Sequence, residues 1–161
     1  MKRIFACLGA LMVMSCQSME PTAPHRDASP GACSSDAAAE DVSVTIRSFF
    51  EALARDDHAA VGRLTTPGFY AFEVGKRYTG PELSRLIANA HQSGRVMQWN
   101  IGPIDARIDC TIAFAAWENT GAAGTAARLE PRAWLESAML VRRDGRWVID
   151  FLHSTPKDPR P

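Results

Sequence analysis

One acid, Asp150, stands inside an apolar run, with Trp147, Val148 and Ile149 before it and Phe151 and Leu152 after it. A carboxyl group enclosed by such neighbours loses hydration, which suits it to serve as a general acid or base. The same placement also fits a bond to a backbone group or a pairing with Arg77 or Arg107. A second pairing of chemical interest is His153 with Glu136. A histidine oriented by a carboxylate is a recurring catalytic arrangement, although across two strands it reads first as an ion pair at an interface. Tyr70, Phe72, Trp99 and Trp117 are aromatic residues on strands that can line a pocket, with Ser137 and Met139 beside them. His58 and His91 fall near helix ends. No spacing of His, Cys, Asp and Glu suits a metal, and no cofactor motif is present: Gly121 to Gly124 lacks the strand-turn-helix setting of a phosphate loop.

The positions of these groups follow from a turn. Asp144-Gly145, between Arg143 and Arg146, supplies the positive φ angles of a two-residue type I′ hairpin. Straight counting from it sets Leu140 opposite Ile149, Met139 opposite Asp150, Ala138 opposite Phe151, Ser137 opposite Leu152 and Glu136 opposite His153. One face then carries Ser137, Met139 and Asp150 and is expected to line a pocket. The other carries Trp134, Glu136, Trp147, Phe151 and His153 and is expected to be an interface, where aromatic residues gather.

Upstream, Val42, Ile46, Phe49, Phe50 and Leu53 recur at helical spacing and predict a helix over 36–55. Asp57 caps a short helix over 58–64, and 69–74 reads as a strand. Thr79-Gly80-Pro81-Glu82 has capping-box spacing, followed by Leu83, Leu86, Ile87 and Ala90 on one stripe of a third helix. The period then changes to two, predicting strands over 95–101, 104–117, 133–143 and 146–153. Helices first and long strands after predict an α+β domain with an antiparallel sheet, spanning 36–157 and followed by a short tail, 158–161.

Before the domain, Lys2 and Arg3 precede an apolar run from Ile4 to Met14, the layout of a signal peptide over 1–15. Val13-Met14-Ser15-Cys16 resembles the lipobox of bacterial lipoproteins, which implies cleavage before Cys16 and acylation of that cysteine. Residues 16–35, rich in Pro, Ser, Ala and Gly, read as a flexible linker. Gln17 leans towards an outer-membrane location facing the periplasm. The membrane would then be met only through the lipid. Cys33 and Cys110 remain in the mature chain and could pair in that oxidising compartment. The full chain balances eighteen basic against eighteen acidic residues, and loss of Lys2 and Arg3 leaves it slightly acidic. Nothing builds the basic face that a nucleic-acid backbone requires.

The order helix–helix–strand–helix then long strands, with the ending around Gly145, Trp147, His153 and Ser154, resembles the NTF2-like superfamily and its SnoaL-like branch. The resemblance implies a cone in which a strongly curved sheet wraps the N-terminal helices around an apolar pocket, and a homodimer formed through the sheet's convex face. It does not name a reaction. Steroid isomerases of this superfamily use a carboxylate base near the start of the sheet and an acid on the penultimate strand. By the straight count those positions fall near 71–73 and at Ser137, so the acid is missing. Three functions stay open: a module that binds a small apolar or amphipathic molecule, a lyase, isomerase or hydrolase acting through Asp150, and an association domain.

Anchoring has a direct check. Cys16→Ser should leave the protein soluble or unprocessed, and detergent-phase partitioning unchanged by the substitution would refute the lipid anchor.

Overall fold

The computed structural model describes residues 36–157. Three helices, α1 (Asp36–Ala54), α2 (His58–Leu64) and α3 (Gly80–Gln92), pack on six strands: β1 (Thr65–Glu73), β2 (Lys76–Thr79), β3 (Arg95–Asp109), β4 (Ile112–Thr125), β5 (Arg128–Arg143) and β6 (Arg146–Pro156). They form one sheet in the order β2-β1-β6-β5-β4-β3. The pairing is antiparallel except between β1 and β6, which run parallel. The α+β class expected from the order of elements, and the cone that the resemblance implies, are the observed architecture.

The helices form where the sequence signals them. The Asp57 carboxylate accepts the Ala60 N–H at 2.9 Å and starts α2. Glu82 accepts the Thr79 N–H at 2.8 Å and closes the capping box that starts α3. Val42, Ile46, Phe49, Phe50 and Leu53 of α1 are all buried and form the centre of the core with Leu83 and Ile87 of α3. Each such side chain contributes roughly 1.5–3 kcal/mol by leaving water. Leu86 is instead half-exposed on the outer flank of α3.

The strands differ from expectation in their bounds, with β1 beginning at Thr65, β4 running on to Thr125 and β5 beginning at Arg128, and in three further features. The predicted strand over 104–117 is broken by a turn at Cys110, whose φ is 50°, and its two halves become the end of β3 and the start of β4. Strand β2 carries too short an alternation, four residues, to register as a strand by period alone. Third, the β5–β6 ladder follows the straight count from Arg143–Arg146 to Leu140–Ile149 and then shifts, pairing Met139 with Phe151, Ala138 with Leu152, Ser137 with His153 and Glu136 with Ser154. Asp150 is the surplus residue of a β-bulge, unpaired with either neighbouring strand. Its carboxylate accepts the Thr66 hydroxyl at 2.6 Å.

Curvature comes from such irregularities and from close backbone approach. A second bulge lies between Ile101 and Ile104, and Arg47 of α1 donates to the freed carbonyls of Ile101 and Gly102 at 2.7 and 3.0 Å. At Gly121 a Cβ would stand 1.8 Å from the Gln98 carbonyl oxygen, so β3 and β4 can close on each other only with glycine there.

The bulge gives contrasting outcomes for two deletions. Removing Asp150 leaves every other cross-strand pair in place and should cost about 1–2 kcal/mol for the lost Thr66 bond and local bend. Removing Leu152 instead transfers Ser154 to the opposite face and should abolish folding. Thermal melts of the two variants check this, and equal stabilities would refute the register.

Candidate functional site

The bulge decides which side chains meet the helices. Along β5, Glu136, Ala138 and Leu140 are buried; along β6, so are Trp147 and Ile149 before Asp150, and Leu152 and Ser154 after it. This is the concave face. Its apolar members oblige it to turn inward, and Glu136 is carried inward with them by the two-residue period.

Around Glu136 a row of polar side chains crosses the sheet. Trp117 of β4 and Ser154 of β6 are its direct partners on either side. Asn119, two residues along β4 and fully buried, donates its amide to Glu136 Oε1 at 3.0 Å. Glu73, at the end of β1 beside Ser154, extends the row by one more strand. Three buried polar atoms have no hydrogen-bond partner among the described residues: Trp117 Nε1, Asn119 Oδ1 and Glu136 Oε2. Such atoms are uncommon in a folded interior and mark a place where another polar group belongs.

The electrostatics follow from burial. Loss of hydration pushes the Glu136 carboxyl from its usual 4.5 up to about 8, against a smaller downward pull from the Asn119 amide; the negative charge of Glu73 adds to the rise and the Ser154 hydroxyl offsets a little of it. Glu73 is only partly enclosed, and burial raises its pKa as well, with Ser154 pulling the other way. At neutral pH Glu136 therefore holds its proton and can donate a hydrogen bond.

A groove of about 620 Å³ opens between α1 and β3, lined by Arg47, Phe50, Ala54, Met97, Trp99 and Ile101. Its inner wall is the Phe50–Trp99 pair, ring centroids 5.8 Å apart, and Phe50 stands 6.1 Å from Trp117. Phe50 thus lines the groove and meets the Trp117 end of the polar row, while no member of the row itself lines the groove.

The expected site residues divide accordingly. Trp99 and Trp117 face the interior, as expected. Tyr70, Phe72, Ser137 and Met139 do not: Phe72 and Met139 are exposed, and all four lie on the convex side. Glu136 and Trp147, expected at an interface, are interior, and Trp134 is half-buried on the same side. The reason is that Ala138, Leu140, Ile149 and Trp147 together outweigh one carboxyl group, which avoids a buried charge by keeping its proton. Phe151 and His153 pass to the convex face at the bulge and join Tyr70 and Phe72 in an aromatic cluster, with Phe151 centroids 5.0 and 5.5 Å from Tyr70 and Phe72. His153 is thus separated from Glu136. Asp150 belongs to the bulge and is tied to Thr66, away from the polar row. Cys110 is disulfide-bonded; Cys33, its expected partner, and Cys16 lie outside the described residues. Glu73, Asn119 and Ser154 were not singled out from sequence. Their signal was present for Glu136 alone, in the alternation Trp134, Glu136, Ala138, Leu140.

Neither a protein-family model nor a curated protein matches the chain. Solved structures do. A Streptomyces avermitilis protein of the NTF2-like family, provisionally named a dehydratase, is similar with a TM-score of 0.66 and 17% identity over 76% of this chain and 98% of that one. A Mycobacterium tuberculosis protein of unknown function has a TM-score of 0.67 and 14% identity over 75% and 77%. The association domain of C. elegans CaMKII has a TM-score of 0.63 and 19% identity over 74% and 95%. Likeness at this level establishes the NTF2-like cone as the fold and nothing finer.

The raised Glu136 pKa has a defined sign. Between pH 4.5 and about 8 the unfolded chain is ionised while the folded protein keeps the proton, so stability falls as pH rises through this window. The cost above it is on the order of 5 kcal/mol. Glu136→Gln, which stays neutral and can still accept from Asn119, should therefore melt well above wild type at pH 8, with the gap narrowing towards pH 4.5. A pH-independent gap would show that Glu136 does not carry a raised pKa.

Proposed function

We propose that the cone binds a small, largely apolar molecule through one carbonyl or hydroxyl oxygen set against Glu136, Trp117 and Asn119. The observation that carries this reading is the convergence of three buried, unpartnered polar atoms on one short stretch of β4 and β5. The protonated Glu136 and the Trp117 N–H are donors for a ligand oxygen, and Asn119 Oδ1 is an acceptor for a ligand hydroxyl. Phe50, Trp99 and Trp117 supply the apolar wall.

A second reading, acid–base turnover of that molecule, is favoured by one specific feature. Glu73 puts a second carboxyl in the same row, at the place where the superfamily's isomerases keep their base, and Glu136 is the inward-facing acid of the penultimate strand that a straight count appeared to lack. A neutral donor polarising a carbonyl and a carboxylate taking the neighbouring C–H proton would suffice for isomerisation or elimination. The provisional name of the Streptomyces protein accords with such chemistry.

Around this site we read the chain as a SnoaL-like lipoprotein, exported and held in the cell envelope by lipid on Cys16, with Cys33 as the disulfide partner of Cys110. We also read it as a homodimer through the convex face, where Phe72, Phe114, Leu135 and Met139 are exposed beside Phe151 and His153. One protein of similar fold is an association domain, that of C. elegans CaMKII, which accords with such an assembly.

Native mass spectrometry of the protein isolated from its own host should show a dimer retaining a small adduct, and Glu136→Leu should lose the adduct while staying folded. A wild-type protein with no adduct, or one that survives Glu136→Leu, would refute the binding reading. Deuterium uptake beside the carbonyl of the retained molecule, abolished in Glu73→Gln, would separate turnover from binding.

A further inference from the structure

Glu136 is nearly sealed from water, so any proton it gives or takes needs a route. The ladder contains one. Ser154 on β6 is the direct cross-strand partner of Glu136 on β5, and its other flank is β1, where Phe72 pairs with His153 and Glu73 follows next. Ser154 is itself buried, whereas Glu73 is only partly enclosed. Carboxyl, hydroxyl and carboxyl therefore occupy three adjacent strands on one face, spaced by the strand separation of about 4.8 Å. The hydroxyl can donate to one neighbour while accepting from the other, which is the requirement for passing a proton without a charged intermediate on serine.

We propose that Glu73 is the proton port of the buried acid: it exchanges protons with solvent and, through the Ser154 hydroxyl, passes them to and from Glu136, so that the two carboxyls behave as one proton-sharing pair. In the transfer, a carboxylic O–H of Glu73 breaks as its proton moves to Ser154 Oγ, while the Ser154 O–H breaks as its own proton moves to Glu136. Glu73 is left as carboxylate, Glu136 becomes the neutral acid, and Ser154 is unchanged. The inference deepens the proposed site, yet concerns the protein without ligand, so its failure would leave the binding reading standing.

The charged groups around the row favour this assignment. From α1 the nearest cation is Arg47, engaged by the Ile101 and Gly102 carbonyls. Lys157, after β6, is paired with Glu118 of β4 at 2.7 Å. On β2, Arg77 lies over the Tyr70 ring on the convex side, 3.9 Å from its centroid, and Lys76 is exposed. His153 points away with the convex cluster. Among the described residues no salt bridge engages Glu136 or Glu73, and the charged neighbour that acts on Glu136 is Glu73. Two acids in this relation titrate as a pair rather than singly.

The test uses the full-length, ligand-free chain with carbon-13 in its glutamate carboxyl groups. Nuclear magnetic resonance titration should show Glu136 with two inflections, one coinciding with the main inflection of Glu73. Glu73→Gln should reduce this to a single transition at lower pH. After a pH jump, re-equilibration of Glu136 should be at least ~10-fold slower in Ser154→Ala and Glu73→Gln than in wild type, and restored by Ser154→Thr, which keeps the hydroxyl. Restoration by threonine separates relay from packing, since a role in packing alone would respond to side-chain size. If Glu136 titrates in one step in wild type, or its exchange rate is the same in all four proteins, it trades protons by local opening and the port does not exist.

Discussion

A single surplus residue sets the character of this sheet's interior. Up to Ile149 the side chains of β6 alternate in step with the Asp144–Gly145 turn, and Asp150 then takes one place in the chain without taking a place in the ladder. Past it Leu152 and Ser154 turn inward, and Phe151 and His153 turn outward. At the bulge the Thr66 hydroxyl donates to the Asp150 carboxylate, a polar contact with no part in the proposed chemistry. Without that shift the inward partner of Glu136 would be a histidine and the row to Glu73 would be interrupted.

The concave face is a compromise between an apolar majority and one acid. Ala138, Leu140, Trp147 and Ile149 gain by leaving water, and the backbone period gives Glu136 no independent choice. A buried carboxylate without a counter-charge would be severely unfavourable, and the folded protein meets the difficulty by retaining the proton. Asn119 satisfies one oxygen. The other oxygen, with the Trp117 N–H and the Asn119 carbonyl, remains available for something that enters. A site of this kind costs stability, and a fold with a well-packed α1 and α3 against the sheet can sustain it.

The two faces of the sheet thus have different uses. The inner one concentrates hydrogen-bonding groups among apolar side chains. The outer one exposes aromatic and aliphatic side chains over several strands, more than a solvated sheet face ordinarily carries. Curvature links the two, because the bulges and the close approach at Gly121 bend the sheet around the helices and spread its outer side chains.

The amino-acid sequence by itself determined the elements and their order. Helical stripes, the Thr79–Glu82 capping box, the Asp57 cap and the Asp-Gly turn are local signals, each satisfied by residues a few positions apart, so α1, α2, α3 and the β5–β6 hairpin were legible, and with them the α+β class, the cone itself being implied by the family resemblance. It also determined that Glu136, Ala138 and Leu140 share a face. Which face that would be, and what lay across it, were decided only in three dimensions. The bulge at Asp150 is bonded to Thr66, eighty-four residues away, and the polar row draws its members from β4, β5, β6 and β1. A two-residue period carries no record of a skipped rung, and a glutamate's inward turn depends on the combined burial of its neighbours. Asp150 therefore looked like the buried acid and Glu136 like the surface one, until the packing of the whole sheet exchanged their places.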